Sequence, residues 1–223
     1  MRRLFTTLVA VAACLVGLPA GASAAVQDPL GSGTVLFNPQ APTNRSCTAA
    51  FAATDGNKGF LIAGPTCTSG TLYATKPGGG MALVGNVTTT SPYNGYAVVT
   101  VSNTADWVLV PYVLAGSTKI VITGSKETPV GGKVCHVGPT VGSRCGSVDA
   151  TNQTVTFPWG TATGVTRTSI CSGSRDLGAA YLTDDQAQGV PLGGPDFCTT
   201  AGVSYFLPVN PILDKFGLKL VTG

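Results

Sequence analysis

Short strand-forming runs dominate the chain and set what it can fold into. Thr71-Leu72-Tyr73-Ala74, Met81-Ala82-Leu83-Val84, Tyr96 to Val101, Lys119 to Thr123, Thr154 to Phe157 and Val203 to Leu207 are β-branched or aromatic in character. Clusters such as Lys76-Pro77-Gly78-Gly79-Gly80 and Pro129-Val130-Gly131-Gly132 separate them. Glycine and proline break regular elements, and many short strands punctuated by turns are the pattern of a barrel or sandwich. The body of the chain shows no sustained 3.6-residue apolar period. Only the end differs. Asn210 suits a helix N-cap, Pro211 the first helical position, and Ile212, Leu213 and Phe216 recur at helical spacing before Gly217. The chain therefore reads as all-β with one short C-terminal helix.

Met1-Arg2-Arg3 is a basic start, Leu4 to Leu18 an apolar run, and Ala22-Ser23-Ala24 a small-residue end. This is the pattern of a secretory signal peptide over residues 1–24, and it predicts an extracellular protein. The run is too short to span a bilayer, and no later stretch nears the roughly 20 apolar residues that a membrane helix needs. Charged residues make up 10% of the chain, against roughly 25% in an average domain, and the net charge is only +3. No basic stripe is present to follow a phosphate backbone, so nucleic acid is not an expected partner. Beyond Cys14 the cysteines are Cys47, Cys67, Cys135, Cys145, Cys171 and Cys198. An even count in an exported chain reads as a disulfide framework. Metal binding is not expected, because the single histidine, His136, follows a cysteine that lacks a CxxC partner. No cofactor is expected either.

Several segments resemble the α-lytic protease and streptogrisin branch of the bacterial chymotrypsin-like serine peptidases. Cys47-Thr-Ala-Ala-Phe, then Gly59-Phe-Leu-Ile-Ala-Gly64 and Cys67, is similar to the strand pair ahead of that family's histidine. Ile122-Thr-Gly-Ser125, Val134-Cys135, Cys145-Gly146 and Asn152-Gln-Thr-Val155 resemble the opening of its second barrel. Thr166 to Cys171 resembles the approach to its nucleophile, and Gly193-Gly194, Cys198 and Tyr205 to Leu213 its closing strand and helix. The resemblance implies a double antiparallel β-barrel. On it, residues 25–37 are an extended N-terminal segment, 38–116 the first barrel, and 117–223 the second barrel with the terminal helix. It also implies the pairs Cys47–Cys67, Cys135–Cys145 and Cys171–Cys198.

At the positions matching the family's catalytic triad, the chemistry is missing. The mechanism needs a nucleophilic hydroxyl, an imidazole and an orienting carboxylate. The family's Ala-Gly-His-Cys becomes Ala63-Gly64-Pro65-Thr66-Cys67, without an imidazole. The aspartate position matches Gly95 in Asn94-Gly95-Tyr96, with Asp106 in Ala105-Asp106-Trp107 as the competing match. The serine position matches Leu177, and Arg175 replaces the glycine whose N–H helps form the oxyanion hole. Losing the serine or the histidine alone costs on the order of a millionfold in such enzymes. The resemblance therefore implies a pseudo-peptidase, a secreted binding protein and not a hydrolase. The alternative is an active extracellular serine endopeptidase with relocated catalytic residues.

What survives at the matching positions is Gly193-Gly194, in the strand Leu192-Gly193-Gly194 that in the family pairs with an extended substrate backbone, with Leu192 standing where the family tends to carry a serine. It implies an extended peptide or a secreted protein as partner, bound by a monomer with no membrane attachment after signal cleavage. The family's arginine after the first cysteine of the second barrel matches His136. The aspartate with which that arginine pairs matches Asp176, so a structural His136–Asp176 pair is expected, with Arg144 or Arg175 as the alternative partner of Asp176 and a solvent-facing His136 otherwise.

Overall fold

In this computed structural model the described residues are 26–42, 46–91, 95–157, 160–172, 180–194 and 202–223. The first half forms β1 (Asp28–Leu30), β2 (Val35–Phe37), β3 (Ser46–Thr54), β4 (Gly59–Ala63), β5 (Thr71–Thr75), β6 (Met81–Ser91), β7 (Tyr96–Val101) and β8 (Trp107–Leu109). A hairpin of β9 (Tyr112–Ala115) and β10 (Thr118–Val121) leads onward. The second half holds β11 (Lys133–Gly138), β12 (Gly142–Phe157), β13 (Gly160–Thr168), β14 (Ala180–Thr183), β15 (Gln186–Gly193) and β16 (Ser204–Pro208). Helix α1 (Asn210–Phe216) and β17 (Lys219–Leu220) close the chain.

Each half is a closed barrel. The first runs β3-β2-β5-β6-β7-β4, and the β3–β4 pairing closes it. The second runs β11-β12-β13-β16-β15-β14, and β11 pairs with β14. The double-barrel fold implied by the resemblance is thus present. The first barrel starts earlier than expected, because Val35–Phe37 is one of its staves, between β3 and β5. Asp28–Leu30 pairs in parallel with β8, so the segment before residue 38 is built into the fold.

The seam between the barrels explains the alanine-rich sequence of β3. Cys47, Ala49 and Ala52 face the core of the first barrel, whereas Ala50, Phe51 and Ala53 face a second core shared with the other half. A strand sandwiched between two cores is apolar on both faces, and small residues let the layers approach. Strands β4 and β7 behave alike: Leu61, Ala63, Ala97, Val99 and Val101 point inward, while Ile62, Tyr96 and Val98 point to the seam. Fully burying a side chain of that size stabilises by roughly 1.5–3 kcal/mol. An aspartate at Val98 would break the seam.

The helix start differs from expectation. Val209 holds the N-cap position without a side-chain bond, and Asn210 is already helical. The Asn210 Nδ2 group donates instead to the Ser125 carbonyl (3.0 Å) and to Glu127 Oε1 (3.2 Å), which draws it away from the helix end. Gly217 closes the helix as expected, at φ 61°, and the Leu218 N–H reaches the Leu213 carbonyl at 2.9 Å.

Candidate functional site between the barrels

Pro65 and Thr66 form a turn directly after β4. The Gly64 N–H donates to the Thr48 carbonyl (3.1 Å), and the Cys67 N–H donates back to the Gly64 carbonyl (3.2 Å). The Cys47–Cys67 disulfide ties this turn to β3 across 5.2 Å between Cα atoms. Pro65 is half-buried and Thr66 exposed. Neither carries a base that works near neutral pH.

Gly95 opens β7 from the other side, at φ 78°. A Cβ built there would lie 2.1 Å from Leu192 Cδ2. Real Cβ atoms do not approach so closely, so Leu192 occupies the space that any side chain at position 95 would need. Leu192 comes from β15 of the second barrel and is 7% exposed, within the same seam core as Tyr96 and Val190. The structure thus brings together two residues that the sequence singled out separately, and their contact is apolar.

Asp106 is engaged elsewhere. Its carboxylate accepts from Lys76 Nζ (2.8 Å) and Asn103 Nδ2 (2.7 Å), and Lys76 also lies 3.5 Å from Asp28. The Lys76 ammonium, then the Asn103 amide, hold the Asp106 carboxyl below its ordinary value. All these partners belong to the first half of the chain.

The two glycines after Leu192 differ. A Cβ at Gly194 would stand 2.3 Å from the Ser172 carbonyl oxygen and 2.5 Å from that of Val203, so close backbone packing requires glycine there. Gly193, at φ 110°, has open space where its Cβ would be. The β14–β15 ladder ends at Tyr181 and Gly189, so among the described residues Val190–Gly193 pair only with β16.

His136 is 0% exposed, inside the wall of the second barrel. Its ring stacks on Tyr181 with centroids 4.8 Å apart, and Tyr181 in turn stacks on Phe206 at 4.7 Å. The Tyr181 hydroxyl donates to Ser204 Oγ at 2.6 Å. Leu177, Arg175, Asp176 and Cys198 lie outside the described residues. The disulfides Cys47–Cys67 and Cys135–Cys145 are present, and Cys171 is also disulfide-bonded. Among the described residues no group of three His, Cys, Asp or Glu side chains could hold a metal ion. No helix among them is long and apolar enough to cross a membrane.

Thermobifida fusca Protease A superposes with a TM-score of 0.73 and 31% identity, over 87% of this chain and 100% of that one. The chain belongs to the bacterial chymotrypsin-like serine protease family. The α-lytic protease homolog N4 agrees, with a TM-score of 0.73 and 32% identity over 85% of this chain and 98% of that one. Streptogrisin-C of Streptomyces griseus is 38% identical over 179 residues, which is 79% of this chain and 38% of the relative. The chain thus spans well under half of that relative's length. No family model matches the chain. Within the family, the seam contact between Gly95 and Leu192 is the feature that sequence reasoning missed. Its only signal was that both residues depart from the family pattern.

Proposed function

We propose that this chain is an exported, non-catalytic member of the family that acts by binding. One observation carries the reading: the sole imidazole of the chain, His136, is fully buried in the second barrel and stacked on Tyr181. A serine nucleophile needs a base within about 3 Å, and the turn matching the family's base holds Pro65 and Thr66. The Gly95–Leu192 contact supports the same reading, because an apolar side chain fills the space beside the position that matches the orienting carboxylate. Among the described residues Val190–Gly193 pair on one side only, which supports an extended peptide as the bound class, held by main-chain hydrogen bonds.

The purified mature chain should not cleave casein or chromogenic peptides above background, and no serine should react with a fluorophosphonate probe. Stoichiometric labelling of any serine would overturn the proposal. Export is tested in the same preparation by the N-terminus of the protein recovered from culture medium, expected at Ala25.

A further inference from the structure

The wall of the second barrel is interrupted between β12 and β13. Strands β12 and β13 slip register between Ala150 and Gln153, and Asn152 sits in the slip at φ 54°. Thr166 lies across from it, and in the adjoining slip Gly164 takes φ 72°, with open space where a Cβ would stand. Asparagine is one of the few residues besides glycine that take the left-handed region readily, and bulges of this kind re-aim side chains. Here the bulge faces a cavity of about 320 Å³, whose lining includes Glu127, Asn152, Thr166, Gln188, Phe206 and Pro211. Small-molecule sites run from roughly 300 to 1,000 Å³, so this one suits a single small ligand. The lining residue Phe206 pairs with Pro191, next to Leu192, but Phe206 packs in a cluster with Tyr181 whereas Leu192 packs in the seam core, so the cavity and the Gly95–Leu192 contact draw on different cores.

The polar groups of the cavity divide by task. Gln188, 6% exposed, accepts from the Thr128 N–H (2.9 Å) and donates to the Lys126 carbonyl (2.7 Å), so it braces the rim. Thr166 is 3% exposed and lines the cavity. Its neighbour Asn152 is exposed at the mouth. Glu127 is the single ionisable group of the lining, with Oε1 accepting from Asn210. The apolar share comes from Phe206, pinned by its stack on Tyr181, and from Pro208 and Pro211.

Short neutral hydroxyl and amide groups set beside aromatic and proline faces complement a molecule with hydroxyls on its rim and C–H groups on its faces. We propose that this cavity binds one neutral sugar residue. Pro208 and Pro211, backed by the buried Phe206 ring, meet its C–H face, and Thr166, Asn152 and Glu127 bond its hydroxyls. The proposal is independent of whether the chain cleaves peptides.

Amide NMR of the labelled mature chain, titrated with glucose and with N-acetylglucosamine, tests it. The expected result is saturable shifts at Asn152, Gly164, Thr166 and Phe206 for one of the two sugars, with about millimolar affinity for a ligand of this size. Asn152→Gly and Thr166→Val should each weaken binding about tenfold. Asn152→Gly keeps the test clean if the valine variant fails to fold, because glycine takes the left-handed conformation without strain. Three results would each overturn the proposal: no saturable shift at these amides, undiminished binding by Asn152→Gly, or saturation by N-acetyl-lysine amide and by neither sugar.

Discussion

Gly95 and Leu192 constrain one another across the barrel seam. Returning a carboxylate to position 95 alone would force its Cβ into Leu192 and place a branched side chain at φ 78°. Overpacking costs roughly 1–3 kcal/mol, and the left-handed backbone adds about 1–2 kcal/mol for a residue other than glycine. Gly95→Asp should therefore destabilise the protein by about 2–5 kcal/mol in urea unfolding. Adding Leu192→Ser should recover roughly 1 kcal/mol of that loss, since contacting residues couple. Independent, additive losses would show that the two side chains do not meet. The sequence marks each residue as a departure from the family, but their contact joins different barrels and leaves no local periodicity to read. Asp106 makes the complementary point, because its sequence context resembles the family motif while its carboxylate is committed to Lys76 and Asn103.

That half-buried pair also sets an acid–base expectation at the residue scale. The Asp106 carboxyl lies below its ordinary value, chiefly through the hydrogen bond from Lys76, and the Lys76 ammonium lies above its own, chiefly through the bond to Asp106. A depressed carboxyl contributes stability above its unfolded value near pH 4, lost as pH falls through the folded value. A raised ammonium contributes below its unfolded value near pH 10, lost as pH rises through the folded one. The pair is therefore fully effective between those limits. Lys76→Gln should lower the melting temperature slightly at neutral pH and flatten the acid limb of its pH profile, as read by calorimetry. An acid limb identical to that of the parent protein would refute the assignment.

At the scale of elements, the disulfides were legible and the helix start was not. Cysteine count and export indicated a framework, and the family resemblance supplied the pairing that the structure shows for Cys47–Cys67 and Cys135–Cys145. The helix start misled because Asn210 is a good cap in isolation, yet tertiary bonds to Ser125 and Glu127 claim its side chain. The early start of the first barrel was missed for a related reason: Val35–Phe37 is only three residues long, too short to show a period of two. Loop length separates the bridges energetically. Cys47–Cys67 spans 20 residues and Cys135–Cys145 spans 10. Losing either should cost about 2–5 kcal/mol, and doubling the loop adds about 0.6 kcal/mol of closure entropy. Paired Cys→Ser variants should keep that order in urea, and non-reducing peptide mapping should join Cys171 to Cys198. A larger loss from the shorter loop would mean that native packing, and not chain entropy, decides.

For the whole molecule, the chain's end fastens the barrels together. Helix α1 leaves the second barrel with Ile212 and Leu213 buried in the seam, and Leu218 follows them there. Strand β17 then crosses to the first barrel, where Lys219 and Leu220 pair with Thr54 and Ala53, and the Val221 N–H donates to the Ala52 carbonyl at 3.0 Å. The Gly223 N–H reaches the Ile122 carbonyl at 3.1 Å, on the segment that links the halves. Because the seam core draws on both barrels, the intact chain should unfold in one cooperative step, as small single-core proteins usually do. Deleting residues 218–223 removes Leu218 from the seam and strips the pairing from the edge of β3, while both closed barrels keep their own ladders. Trp107 reports on the first barrel, since it is buried there and its Nε1 donates to the Leu83 carbonyl at 2.7 Å. The truncated chain should lose about 2–4 kcal/mol, the burial of one leucine together with its strand bonds. In a Trp159→Phe background, its Trp107 fluorescence and near-ultraviolet dichroism should no longer change at the same urea concentration. Coincident transitions in the truncated chain would show that the seam holds without the strap.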